Sequence, residues 1–135
     1  MCSSARTGGD GIRLARVHDR DLPATGRRFL VERLWPRGVR RDDLRLDGWL
    51  RDVAPSTELR RWFGHDPARW EEFRRRYLAE LEAVPDACRP LLEAARFGEV
   101  TLLFSARDRE HNSAVVLREH LLARLRESTA EGDRS

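Results

Sequence analysis

The feature that most limits what this chain can fold into is an apolar run that passes without a break into charge: RFLVERLWPRG, Arg28 to Gly38. Phe29, Leu30 and Val31 have the pattern of a strand covered on both faces. Glu32 and Arg33 follow while the apolar pattern continues through Leu34 and Trp35. Charge that close to a core has to be paired or to face a cleft. Pro36 fixes its own φ and biases Trp35 toward extended backbone, and Gly38 frees the exit. A covered strand running to Leu34, with a charged loop at its end, is the predicted centre of the molecule.

The remaining elements arrange themselves around it. Ile12 to His18 reads as a first strand, and Asp19 to Gly26, with Pro23 and Gly26, as a loop. Gly38 to Asp47 is a charged connection anchored by Val39, Leu44 and Leu46. Trp49, Leu50 and Val53 suggest a short third strand ending at Ala54–Pro55. Ser56 is placed to cap a helix over Thr57–Phe63 that Gly64 stops, and Asp66–Pro67 starts a longer helix to about Ala83. Trp70, Phe73, Tyr77 and Leu81 share one stripe of that helix and are predicted core. Pro85 to Phe97 is a further helix stopped by Gly98. Val100 to Phe104 (VTLLF) is a second covered strand, and Ser105–Asp108 turns into a last helix with Ala114, Leu117, Leu121 and Leu125 on one face. Residues 1–11 and 128–135 are predicted to be tails around a single domain, 12–127.

Strands separated by long helical stretches predict an α/β fold, a small three-layer sandwich with a mostly parallel sheet flanked by helices. In such sheets ligands sit beyond the carboxyl ends of the strands. Three loops leave strand ends here: RLWPRG, APST and SARDREHN. If the sheet is parallel, they converge on one rim.

Composition narrows the function classes. With 135 residues, 40% of them hydrophobic, the chain can bury one core. No run approaches the roughly 18 apolar residues of a membrane span. The start, MCSSARTGGDG, has no apolar segment of the secretory kind, so a cytoplasmic protein without a membrane partner is expected. Cys2 and Cys88 form no disulfide framework and have no metal-ligand spacing, so reduced thiols and no metal are expected. The net charge of +3 invites a nucleic-acid reading, yet all 26 basic residues are Arg, interleaved with 23 acids. Arginine-rich, lysine-free composition follows G+C-rich codons, and the clustered footprint of a nucleic-acid binder is missing.

The strand-end loops hold the candidate functional residues. Ser105 and Arg107 precede a helix start, where free N–H groups favour an anion. Arg33 and Arg37 would add bidentate donors suited to phosphate or carboxylate, and Trp35 would wall the pocket. Neither GxGxxG nor a P-loop is present, so no dinucleotide or ATP site is claimed and no cofactor is identified. Asp108 and His111 lie one turn apart and could serve as an acid/base pair. Ser56, Thr57, His65 and Asn112 complete the polar set on these loops. Plainer roles compete: Asp108 and Ser56 as caps, Arg107 paired with a surface acid, His111 bonded within its own turn.

RFLVERLWPRG, LDGWLRDVAPSTELRRWFGHDPARWEEFRRRYLAEL and VTLLFSARDREHNSAVVLREHL together resemble the YeaO-like family of bacterial proteins, over about Ile12 to Leu125. The resemblance implies a small cytoplasmic α/β domain and brings no established reaction. The family pattern usually has Asp where this chain has Glu32, one methylene longer; WPRG, APST, WFGHD and D-x-x-HN match residue for residue. Three functional readings stand at this point. One is an enzyme or enzyme-derived domain for an anionic or nucleotide-like small molecule. Another is a non-catalytic module for a protein or nucleic-acid partner. The last makes Glu32, Arg33, Asp52, Arg107 and Asp108 an ion-pair lattice that serves only the fold.

Overall fold

The strand without a charge in it takes the middle of the sheet. VTLLF forms β4 (Val100–Phe104), buried at every position. The computed structural model describes residues 11–20, 22 and 26–134, with side chains through Glu127. β4 pairs with β1 (Ile12–Arg16) on one side and β2 (Arg27–Leu30) on the other, and β2 pairs with the two-residue β3 (Gly48–Trp49). The order is β1-β4-β2-β3 and every pairing is parallel. All four carboxyl ends therefore lie along one edge.

The register sorts the side chains into two rows. Leu14, Leu102, Phe29 and Gly48 stand opposite one another, as do Ala15, Leu103, Leu30 and Trp49. Successive residues of a strand point to opposite faces, so the two rows serve different cores. The first row joins Phe73, Tyr77, Leu91, Leu117 and Leu121 beneath α3 (Trp70–Ala83), α4 (Pro85–Phe97) and α5 (Ser113–Arg134). Gly48 leaves room there for Phe29, whose ring would lie 3.0 Å from any added Cβ. The second row is covered by Leu44, Trp35, Val39 and Leu46, from a connection with a single helical turn, α1 (Arg41–Leu44). The fold is α/β, with one thick helical layer and one thin layer made largely of loop.

Local signals place most elements where they are expected. Helix α2 (Thr57–Phe63) is capped by Ser56, whose Oγ accepts from the Leu59 amide at 3.1 Å, and ends at Gly64 with φ 53°. Asp66 accepts from the Ala68 amide at 3.0 Å and starts a 3-10 turn over Pro67–Arg69 that leads into α3. No helix among the described residues is long and apolar enough to cross a membrane.

Several boundaries differ from the sequence expectation, beginning with β1, which ends at Arg16 and not at His18. β2 ends at Leu30 and not at Leu34: the Val31 amide still reaches the Leu103 carbonyl at 3.2 Å, and the chain then leaves the sheet as the Glu32 carboxylate bonds Ser105. The third strand stops at Trp49 because, at the sheet edge, it has only β2 to hold it; the chain turns, with Ala54 N bonded to Arg51 O at 3.0 Å. The last helix begins at Ser113, since Asp108 closes a separate turn by accepting from the Glu110 and His111 amides, both at 2.9 Å. Its far end runs on to Arg134, past Ser128 where a tail was expected, because extending a formed helix adds one bond per residue fixed. The expected N-terminal tail, Gly11 aside, and Cys2 lie outside the described residues.

Candidate ligand cleft

Three loops leave the carboxyl edge side by side and border an open cleft of about 770 Å³. The β2 loop supplies Glu32 and Leu34. The β3 loop supplies Pro55, and α2 continues the wall with Thr57, Arg60, Arg61 and Phe63. The β4 loop supplies Ser105 through Asp108, then Asn112 and Ser113. His65 lines the cleft as well, as does Phe73 from α3. Because β2 lies between β4 and β3, Glu32 comes up between the wall bearing Arg107 and the wall bearing Arg60 and Arg61.

Glu32 resolves the charge that interrupts the apolar run. Its carboxylate accepts from Ser105 twice, from the backbone N–H and from Oγ, each at 3.1 Å. That bridge joins the β2 and β4 loops across 73 residues of sequence. A carboxylate has about four acceptor positions, so further lone pairs stay open on this lining residue. Arg33 turns the other way: its Nε and Nη2 donate to the carbonyls of Pro55 and Ala54, at 3.3 and 3.0 Å. It ties the β2 loop to the β3 loop and does not line the cleft. From beneath, the buried Tyr77 hydroxyl donates to the Val53 carbonyl.

The β4 loop is braced from its other flank. Arg16 donates from Nε to the Ala106 carbonyl at 2.9 Å and from Nη2 to that of Ser105 at 3.5 Å. Arg109 pairs with Asp19 at 2.5 Å, and this bond holds the Asp19 carboxyl below the usual carboxylate range. Asp108 is also held below that range, first by the Glu110 amide, then by that of His111, and further by the His111 ring, whose Nδ1 is 3.0 Å from Oδ2. His111 stands edge-on to Trp70 with centroids 5.1 Å apart and is not part of the cleft lining. Asn112 is buried, donating to the Asp108 carbonyl at 2.8 Å and accepting from the Val115 amide at 3.1 Å at the start of α5.

The cleft thus gathers Thr57, His65, Ser105, Arg107, Asp108 and Asn112 of the residues marked from sequence, and leaves out Arg33, Trp35, Arg37, Ser56 and His111. Trp35 does not wall it. The chain crosses the sheet end between Leu34 and Trp35, and the indole packs on the opposite face, bonded to the Val39 carbonyl at 2.7 Å and edge-on to Trp49 at 5.3 Å. Arg37 is exposed outside the lining. Ser56 holds Glu80 through its amide and hydroxyl, at 2.9 and 2.7 Å, while capping α2. No two of Glu32, Arg33, Asp52, Arg107 and Asp108 pair with one another among the described residues, so the lattice reading is not realised.

The sequence reading missed Arg60 and Arg61. The one available signal was their position three and four residues after Thr57, on a helix that starts at a strand end. Among the described residues, Arg60, Arg61 and Arg107 have no side-chain hydrogen bond, ion pair or ring contact, whereas both acids of the lining are already engaged. No group of three or more His, Cys, Asp or Glu among the described residues is arranged to hold a metal ion.

A parallel α/β sheet with a cation-lined cleft at its carboxyl edge is the class of protein that the fold and this site define. The chain belongs to the family described as the inactive DUF488-N3 subclade, whose model matches residues 11–135. It is 41% identical to the uncharacterized protein YeaO of Escherichia coli over 110 residues, covering 82% of this chain and 96% of that one. Over 70 residues it is 51% identical to the uncharacterized proteins Rv3073c of Mycobacterium tuberculosis and Mb3100c of Mycobacterium bovis, covering 52% of this chain and 59% of theirs. No solved structure matches significantly.

Proposed function

We propose that this domain binds a small anionic molecule in the strand-end cleft. The observation that carries the reading is the asymmetry of its charges: Arg60, Arg61 and Arg107 lack protein partners among the described residues, while Glu32 and Asp108 are bonded. Guanidinium groups left unpaired around a concavity favour phosphate or carboxylate, which they bind in bidentate fashion. Binding is placed ahead of turnover because the family's description is of an inactive subclade. Turnover, where it occurs, falls to Asp108 and His111, joined at 3.0 Å beside Arg107; His111→Ala would then abolish it and leave binding intact.

A thermal-shift series with phosphate, sulfate and citrate tests the reading. The melting temperature should rise with each anion, and Arg107→Ala should blunt the rise. No shift with any of them would remove the proposal. A docking module for a protein partner is the second reading, favoured by Leu34, which is 68% exposed on the cleft rim beside the arginines. It requires that Leu34→Ser weaken capture of a partner without altering the anion response.

A further inference from the structure

The cleft is built for more than an inorganic ion. At about 770 Å³ it falls in the range of roughly 300–1,000 Å³ that accommodates drug-sized ligands. Its lining is mixed in a specific way: Phe63, Pro55 and Leu34 offer apolar surface, the three free arginines offer charge, and Glu32 offers a carboxylate between the two arginine-bearing walls. Glu32 is acceptor-only when ionised, and Ser105 occupies just two of its lone-pair positions. It forms no ion pair with any described arginine, including those of the cleft. A ligand that satisfies this lining combines an anionic group, N–H donors and a flat apolar body.

Resting on the anion-binding reading above, we infer that the ligand is a nucleoside monophosphate, with its phosphate on Arg60, Arg61 and Arg107 and its base donating N–H groups to Glu32. Three guanidinium groups suit a phosphate of charge near −2 better than a single carboxylate. A nucleobase supplies the flat body and the donors. The carboxylate also sets a base preference: guanine presents two adjacent N–H donors, whereas uracil presents one between two carbonyl oxygens that would oppose the Glu32 oxygens.

Calorimetric titration of the full chain with inorganic phosphate, guanosine, guanosine monophosphate and uridine monophosphate tests this. Guanosine monophosphate should bind about tenfold more tightly than uridine monophosphate or phosphate, the size of effect expected of hydrogen bonds to a charged group. Guanosine alone should bind more weakly than its monophosphate. Glu32→Gln should level the two nucleotides and tighten phosphate binding, because a negative charge is removed from among the arginines while the amide can still accept from and donate to Ser105. Should that variant fail to fold, the series on the unaltered chain decides. Equal affinity for phosphate and both nucleotides overturns the base contact and spares the anion site. Absence of binding by phosphate and both nucleotides overturns the two together.

Discussion

The outer face of α3 and the strand-end cleft both carry arginines, and they treat them differently. On α3, Arg74 reaches Glu119 while Arg75 and Arg76 share Glu72. Just before that helix Arg69 pairs with Asp66, and Arg69 and Arg76 both lie over the Trp62 ring. In the cleft, Arg60, Arg61 and Arg107 have none of this. Genome composition can account for how many arginines the chain has, but not for which of them stay unpaired. Arg37, Arg40 and Arg45 also lack side-chain partners among the described residues, but they lie outside the cleft; what sets Arg60, Arg61 and Arg107 apart is that three unpaired guanidinium groups line one concavity.

The largest expected effect lies beneath both regions. Leu102→Ala, at a fully buried position in the central strand, should cost about 2–5 kcal/mol in urea unfolding. Tyr77→Phe should cost about 1–3 kcal/mol, since it strands the buried Val53 carbonyl under the cleft. Arg74→Ala should cost only about 0.2–1 kcal/mol, and less at high salt, as expected of an exposed pair. Changing Arg60, Arg61 and Arg107 to Ala should alter stability least per position, by about 0.5 kcal/mol or less at each, while the three changes made together remove anion binding. A large loss of stability in that triple variant would erase the distinction drawn between the two regions.

A pH scan sharpens the same contrast from inside the helical layer. His120 is buried and its Nε2 has no partner among the described residues. Burial depresses its pKa, with Arg124 adding to the effect and Glu82 and Glu127 opposing it. A depressed pKa means that the unfolded chain binds the proton more readily, so stability should fall as pH drops below about 6.5, the ordinary histidine value. His120→Leu should flatten that fall in thermal melts between pH 7 and 5.

Much of the fold was legible because its signals are local. VTLLF, the Ser56 and Asp66 caps, and the Gly64 and Gly98 stops are each read within a few residues, and all sit where expected. The cleft was legible only in outline. Which face Trp35 joins depends on where the chain leaves β2, and that is set by Glu32 reaching Ser105 from 73 residues away. Glu32 stood out in the sequence as charge beside a core, yet its partner could not be read from neighbours. Arg33 had the residue type of an anion ligand, but two backbone carbonyls of the adjacent loop take its donors. Arg60 and Arg61, in TELRRWF, look like any exposed helical face in a chain of 26 basic residues.

The most direct measurement follows the arginine side-chain Nε–Hε signals by NMR while phosphate is titrated in, with assignments from single Arg→Lys variants. Saturable shifts at Arg60, Arg61 and Arg107, with Arg74, Arg75 and Arg76 unmoved, are the predicted result. Uniform small shifts at all six, or none in the cleft, would contradict the claim that those three arginines form a binding site.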